Sequence, residues 1–246
     1  MSQIFRQPYT NDEHVVFPVE QPYVHMNEGN LAIAQVSHFD CGGIAIGGCL
    51  SRKIGDGCTT SNFFKNWGIL TCDINATLSL HFVGDSIYPQ STDPSVVSTI
   101  KSEESTYLGK RFMFPVDKLN ALKVKIAHEL EVQDPTHVEV VSALLYKCAL
   151  VTRRANSSNS FKPSSLYQLA NMCESLIEFP LYKVDFGWGR PIRVSMGTGP
   201  FNKWFYLLDN QSGGVVEAIV MLDEQHMAIF ERDPELLEFA SPITNI

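Results

Sequence analysis

The 246-residue chain lacks the concentrated positive charge that nucleic acids and anionic membrane surfaces select. Its 19 lysines and arginines face 27 acidic residues, for a net charge of −8, and no basic run occurs. Nucleic acid and membrane are therefore not expected as partners, which leaves a small molecule or another protein. Paired cysteines are lacking as well: Cys41, Cys49, Cys58, Cys72, Cys148 and Cys173 form no C-x-x-C and stand near no histidine at zinc spacing. Neither a disulfide framework nor a metal site is expected, and the six thiols read as reduced and mostly buried. There is no long uninterrupted apolar segment, and "MSQIFRQPYTNDEH" carries none of the apolar core of a secretory leader. A cytoplasmic, monomeric protein is the expectation.

Several catalytic signatures are missing too. No G-x-S-x-G elbow, Walker loop or G-x-G-x-x-G after a strand occurs, which removes the main covalent-hydrolase, nucleoside-triphosphate and dinucleotide classes. The seven histidines, His14, His25, His38, His81, His128, His137 and His226, form no i, i+4 pair.

What is present is an ordinary apolar fraction of 44% and an alternation of strand and helix patterns. "NLAIAQVSHF" and "GGIAIGGCL" predict two strands around a Cys-Gly-Gly turn. Phe63, Phe64, Trp67 and Leu70 follow at helical spacing, so Asp56 and Gly57 fall in a strand-to-helix corner. The 71–105 stretch reads as irregular. "RFMFP" is a strand ending at proline, and Leu119, Leu122, Ile126 and Leu130 mark one face of a helix. Thr136 and Glu139 form a capping box before "VVSALLYKCALV". "SLYQLANM", "KWFYLLD" and "GGVVEAIVML" predict strands, "LYKVDFGWGRP" a strand running into a Gly-Trp-Gly turn, and "DEQHMAIFERD" a helix capped by Asp223. The class is α/β with an open mixed sheet.

Two constellations could carry function, and each has a plain structural explanation. Arg52 with Asp56 and Gly57 could be a turn in which glycine supplies a positive φ and aspartate binds local backbone. Asp185 to Gly189, "DFGWG", could be a tight turn with a tryptophan packed into a seam between layers.

Taken in order, "FDCGGIAIGGCLSRKIGDG", "PTHVEVVSALLYKCA", "FKPSSLYQLAN" and "VDFGWGRP" closely resemble the plant BAHD acyltransferases, within them the vinorine synthase-like clade of alkaloid and terpenoid O-acetyltransferases. The family's D-F-G-W-G is intact at Asp185, Phe186, Gly187, Trp188 and Gly189. Its H-x-x-x-D stands here as R-x-x-x-D, with Arg52 at the histidine's position and Asp56 at the aspartate's. The resemblance implies a chloramphenicol-acetyltransferase-like fold of two domains, each a mixed sheet with helices. It places a partial N-terminal domain over 1–110 and a partial C-terminal domain over 111–246.

The resemblance also implies the reaction: transfer of an acyl group, with acetyl expected, from acyl-CoA to a hydroxyl of a plant specialised metabolite, with no bound cofactor and no acyl-enzyme. The motif histidine takes the acceptor's proton, the motif aspartate shapes the loop, and D-F-G-W-G is structural. An arginine has donors only and a pKa above about 12, so Arg52 cannot be that base and impaired activity is expected. His38 is the alternative base. Relative to the family the sequence lacks an opening stretch and an internal block near Met172 and Cys173. A second expectation is therefore a catalytically inactive relative that at most binds CoA or a full-length partner.

Overall fold

The computed structural model describes residues 15–18, 30–51, 53–80, 107–156, 173–175, 179–196, 204–210 and 214–243. The strand expected over "SLYQLANM" lies outside them, as does the 81–105 part of the irregular stretch.

Strands β1 (Ala32–His38) and β2 (Ile44–Leu50) form an antiparallel hairpin registered from Ala32 opposite Leu50 to His38 opposite Ile44. Its turn closes through Gly42 N–H to Phe39 O at 2.8 Å and Phe39 N–H to Gly43 O at 2.9 Å. Gly42 there has φ of +83°, a conformation that side chains with a Cβ rarely adopt. The Gly47-Gly48 pair thins β2 on both faces. A Cβ at Gly47 would lie 2.1 Å from the Val16 carbonyl oxygen, and one at Gly48 would lie 2.5 Å from Phe64 Cζ. Helix α1 (Gly57–Cys72) can thus press a phenylalanine ring onto the strand.

The larger sheet is built from β3 (Tyr107–Phe114), β4 (Cys173–Ser175), β5 (Trp204–Asp209), β6 (Val216–Asp223) and β7 (Ser241–Pro242), in the order β4-β5-β6-β3-β7. β4 runs parallel to β5 and the other pairs are antiparallel, so the sheet is mixed as expected. β3 pairs with β6 along its whole length, and residue 110 falls inside it.

Residues alternate between the two faces of this sheet. One face carries Phe112, Phe114, Phe205, Leu207, Ala218 and Val220, all fully buried under helices α2 (Val116–Leu130), α3 (His137–Asn156), α4 (Glu224–Phe230) and α5 (Pro234–Phe239). Phe230 joins them, edge-on to Phe112 at 5.9 Å and near-parallel to Phe205 at 6.1 Å between ring centroids. The capping box holds as read. Thr136 N–H donates to Glu139 Oε2 at 2.6 Å and Glu139 N–H to Thr136 Oγ1 at 3.2 Å. The Glu139 carboxyl is held below its usual range by the hydrogen bonds it accepts from Thr136, first from the N–H and then from the hydroxyl at 2.8 Å. Asp223 caps α4 through His226 N–H at 2.9 Å.

Some expectations are corrected. The strand expected to lead into the Gly-Trp-Gly turn is absent: Pro180–Lys183 is a turn of 3₁₀ helix, because proline opens the segment, while the Gly-Trp-Gly turn itself is present. Leu130 is 64% exposed although Leu119 and Leu122 on the same face are buried, so that face is open at the last turn of α2. Cys41, Cys58 and Cys72 are exposed; Cys148 alone among the described thiols is fully buried. The helix α5 and the strands β4 and β7 had no periodicity long enough to announce them.

Candidate active site

The corner between β2 and α1 is fixed by local hydrogen bonds. Ser51, 6% exposed, donates its N–H to Leu31 O at 2.8 Å and accepts from Ile54 N–H at 3.0 Å and, through Oγ, from Lys53 N–H at 3.3 Å. Arg52, which follows Ser51 in sequence, is outside the described residues. Asp56 is the N-cap of α1: its Oδ1 accepts from Thr59 N–H at 2.8 Å, and its carbonyl accepts from Thr60 Oγ1 at 2.9 Å. An aspartate there satisfies an orphan amide and faces the positive end of the helix dipole. Gly57 is the first residue of α1 and has no positive φ, so the expected role of glycine at this position is corrected. A helix start asks only for ordinary helical dihedrals, which any residue adopts.

His38 stands opposite Ile44, at the far end of the hairpin from Leu50. Six steps of strand separate it from the corner, roughly 20 Å at about 3.4 Å per residue, too far for it to serve as base there.

The second constellation lies at the other end of α1. Asp185 Oδ1 accepts from Gly187 N–H at 2.7 Å and Gly189 N–H at 3.0 Å, while Gly187 and Gly189 hold φ of +94° and +95°. The two glycines let the chain wrap around one carboxylate oxygen. This turn backs onto α1. The Asp185 carbonyl accepts from the Cys72 thiol at 3.6 Å, and Phe186 meets Trp67 edge to face at 5.1 Å. Gly68 makes the approach possible, since a Cβ there would come within 2.6 Å of Asp185 O. Trp188 is 62% exposed and does not pack into a seam; Phe186 takes that place.

α1 therefore joins the two constellations but keeps them apart. Gly57 and Gly68 are eleven residues apart, roughly 17 Å along the axis at about 1.5 Å per residue. The sequence showed both motifs without showing that one helix carries them. An isolated glycine inside "FFKNWGILT" was the available signal for close backbone approach.

Between these ends, Ser61 is 2% exposed and its Oγ has no hydrogen-bond partner among the described residues. On β2, burial pushes the Cys49 thiol up from its ordinary value, which disfavours the thiolate a nucleophile would need. Among the described residues no group of histidine, cysteine and carboxylate side chains could hold a metal ion, and no helix is long and apolar enough to cross a membrane.

Three comparisons bear on this arrangement. The model of the Transferase family matches residues 8–178 and 164–237. Acyltransferase Pun1 of Capsicum frutescens is 35% identical over 328 aligned residues, covering 97% of this chain and 73% of the relative. That alignment exceeds the 246-residue chain by 82 positions, so the relative carries residues with no counterpart here. Diaboline synthase of Strychnos sp is 27% identical over 99% of this chain and 70% of its own length. Among solved structures, that of vinorine synthase superimposes with a TM-score of 0.67 at 20% identity, over 93% of this chain and 74% of that one. F. sporotrichioides TRI101, complexed with coenzyme A and T-2, gives a TM-score of 0.59 at 12% identity, over 86% and 70%.

Proposed function

The chain belongs to the Transferase family, the BAHD acyltransferases, and from that premise we propose that it binds acyl-CoA and transfers the acyl group slowly to a hydroxyl of a plant specialised metabolite. The observation that carries this reading is the family model's match over most of the chain, in two overlapping segments, 8–178 and 164–237. Acetyl-CoA is the donor proposed, and the acceptor is a small alcohol. In this reading residues 1–110 and 111–246 are two partial domains, with relatives' additional residues absent near Met172 and Cys173.

The corner after β2 is the reacting end of the site. The acceptor's hydroxyl oxygen attacks the thioester carbonyl carbon, the carbon–sulfur bond breaks, and CoA leaves as the thiol once the acceptor's proton reaches its sulfur. Arg52 occupies the position that the resemblance gives to the base. Its guanidinium is already protonated and accepts nothing, so the proton must travel through water. What arginine supplies is a positive donor for the carbonyl oxygen as negative charge develops on it. Asp56 holds the corner by capping α1, and the Asp185–Gly189 turn supports the opposite end of that helix without touching substrate.

The arginine itself favours a second reading: a protein that binds CoA, or a full-length relative, without turning substrate over. Thermal unfolding with and without coenzyme A, followed by detection of free thiol from acetyl-CoA and an alcohol panel, separates the two. A midpoint raised by coenzyme A with acceptor-dependent thiol release supports slow transfer. A raised midpoint with no release at any acceptor concentration supports binding alone. An unmoved midpoint overturns both CoA-based readings.

A further inference from the structure

The face of the large sheet opposite its helices is covered by a strap, residues 179–196, that carries the Asp185–Gly189 turn in its middle. The strap has two legs on the sheet. Phe179 and Leu181 of the first, with Val194 and Met196 of the second, pack around Leu208, Ile219 and Met221. Beside this apolar patch, with Arg111 opposite Ile219, sits a buried ion pair. Arg111 of β3 is 2% exposed and Glu217 of β6 is 7% exposed, with Arg111 Nη1 at 3.0 Å from Glu217 Oε2.

The guanidinium does more than neutralise the carboxylate. Its Nη2 donates to Val194 O at 2.6 Å and to Ser195 Oγ at 2.8 Å, both on the second leg. The first leg is held by Tyr182, whose hydroxyl donates to Glu217 Oε2 at 3.3 Å and accepts from Val194 N–H at 3.4 Å. Burial, then the Glu217 charge, pushes the Tyr182 hydroxyl up, so it stays protonated as that donor. Both legs are thereby pinched together over one ion pair, and the turn between them projects as a closed loop. Its tip meets α1 through Asp185 O against Gly68 and Phe186 against Trp67.

We propose that Arg111 is a positioning residue: by fixing both legs of the strap to the sheet it sets the place of the Asp185–Gly189 turn and, through that turn, the place of α1. This rests on the reading above in one respect only, that the N-terminal end of α1 borders the reacting site. The chemistry requires arginine. Its planar fork holds Glu217 on one nitrogen and the strap on another, whereas the single ammonium of lysine cannot span both. A simple buried pair would stabilise the sheet locally; this one reaches α1 by way of the strap.

The test is amide hydrogen exchange read by mass spectrometry on the full chain, which reports local opening segment by segment. In Arg111→Lys and Tyr182→Phe, amides of 184–196 and of α1 exchange at least about tenfold faster, while those of α3 are unchanged. Faster exchange in the strap with α1 unaltered would overturn the proposal. Arg111→Met strands a buried carboxylate and lowers the thermal midpoint, and adding Glu217→Leu recovers it because no charge is left unpaired. The proposal expects α1 to remain fast-exchanging in that double variant. If α1 protection returns together with the midpoint, Arg111 acts on stability alone and the proposal is wrong. Should Arg111→Lys fail to fold, Tyr182→Phe and the double variant decide. Exchange is read without acyl transfer, so an inactive chain leaves this inference standing and a failed inference leaves the activity reading untouched.

Discussion

Trp67 and Phe186 meet edge to face, with ring centroids 5.1 Å apart and planes at 85°. The contact joins the C-terminal half of α1 to the turn that follows the 3₁₀ segment. It also converts a five-residue motif into a tertiary joint, since the neighbouring Asp185 carbonyl lies against Gly68 and Cys72 of the same helix.

Phe186→Leu keeps an apolar side chain of similar reach but removes the ring. Aromatic pairs contribute about 0.5–1.5 kcal/mol beyond their buried area. The thermal midpoint is expected to fall by roughly 2–4 °C for each kcal/mol lost in a chain of this size. Trp188→Leu, at a side chain 62% exposed, is expected to change it by less than a degree or two. Equal losses at the two positions would contradict the packing described here.

Gly68→Ala decides between two opposed effects. Alanine favours a helix interior by about 1 kcal/mol over glycine. Against this, the new Cβ would stand 2.6 Å from the Asp185 carbonyl oxygen, a backbone atom that cannot rotate aside, and overpacking costs typically about 1–3 kcal/mol. Net destabilisation is expected, seen as a lower denaturant midpoint. A stabilised variant would mean the turn yields freely.

Arg52→His restores the residue type that the family uses as base. General-base catalysis contributes on the order of 10²- to 10⁴-fold, so acceptor-dependent release of thiol from acetyl-CoA is expected to rise by that order. The gain should follow a pH profile with an inflection in the range of histidine titration, about pH 6.5 for an unperturbed imidazole. If coenzyme A binding persists and turnover does not change, residue 52 is not the limiting defect.

Cys148 lies in the main core, where burial first and then Asp233 push its thiol up to about 12. The ordinary value for the thiol is 9.0. The raised folded value means this contribution is fully present below about pH 9 and is lost as pH climbs toward 12. At about pH 10 the loss is on the order of 1 kcal/mol, from about 1.4 kcal/mol for a tenfold change in proton affinity. The gap in thermal midpoint between wild type and Cys148→Ala should therefore narrow from pH 8 to pH 10.5; parallel curves would refute the assignment. In the native chain iodoacetamide should modify the exposed Cys41, Cys58 and Cys72 and spare Cys148.

Elements with an internal period or a complete cap were legible in the sequence. α1 and the capped α3 and α4 are set by 3.6-residue spacing and the Thr136, Asp56 and Asp223 side chains, and the hairpin strands and the β5–β6 pair by short apolar runs bounded by turn residues, all of which act within a few residues. The strand read ahead of the Gly-Trp-Gly turn was a misreading, because Leu181, Tyr182 and Val184 mimic an extended run while Pro180 opens a 3₁₀ turn; the glycine turn itself holds. The short β4, β7 and α5 exist through their neighbours and have no period of their own. Gly57 was assigned a conformational role from its residue type, when its place at the start of a helix requires none.

The sequence by itself determined the family, the mixed α/β class and the chemistry that residue 52 can and cannot perform, because a guanidinium lacks an acceptor in any fold. Only the tertiary structure decided that the two motifs sit at opposite ends of one helix and that Phe186, not Trp188, packs against it. It alone also shows Arg111 and Glu217 gathered under the strap with the strap's own Tyr182, the ion-paired two standing 106 positions apart in the sequence. Such contacts depend on which backbones can approach at a glycine and which charges share a buried patch. Those relations arise when distant segments are brought together, and no local pattern records them.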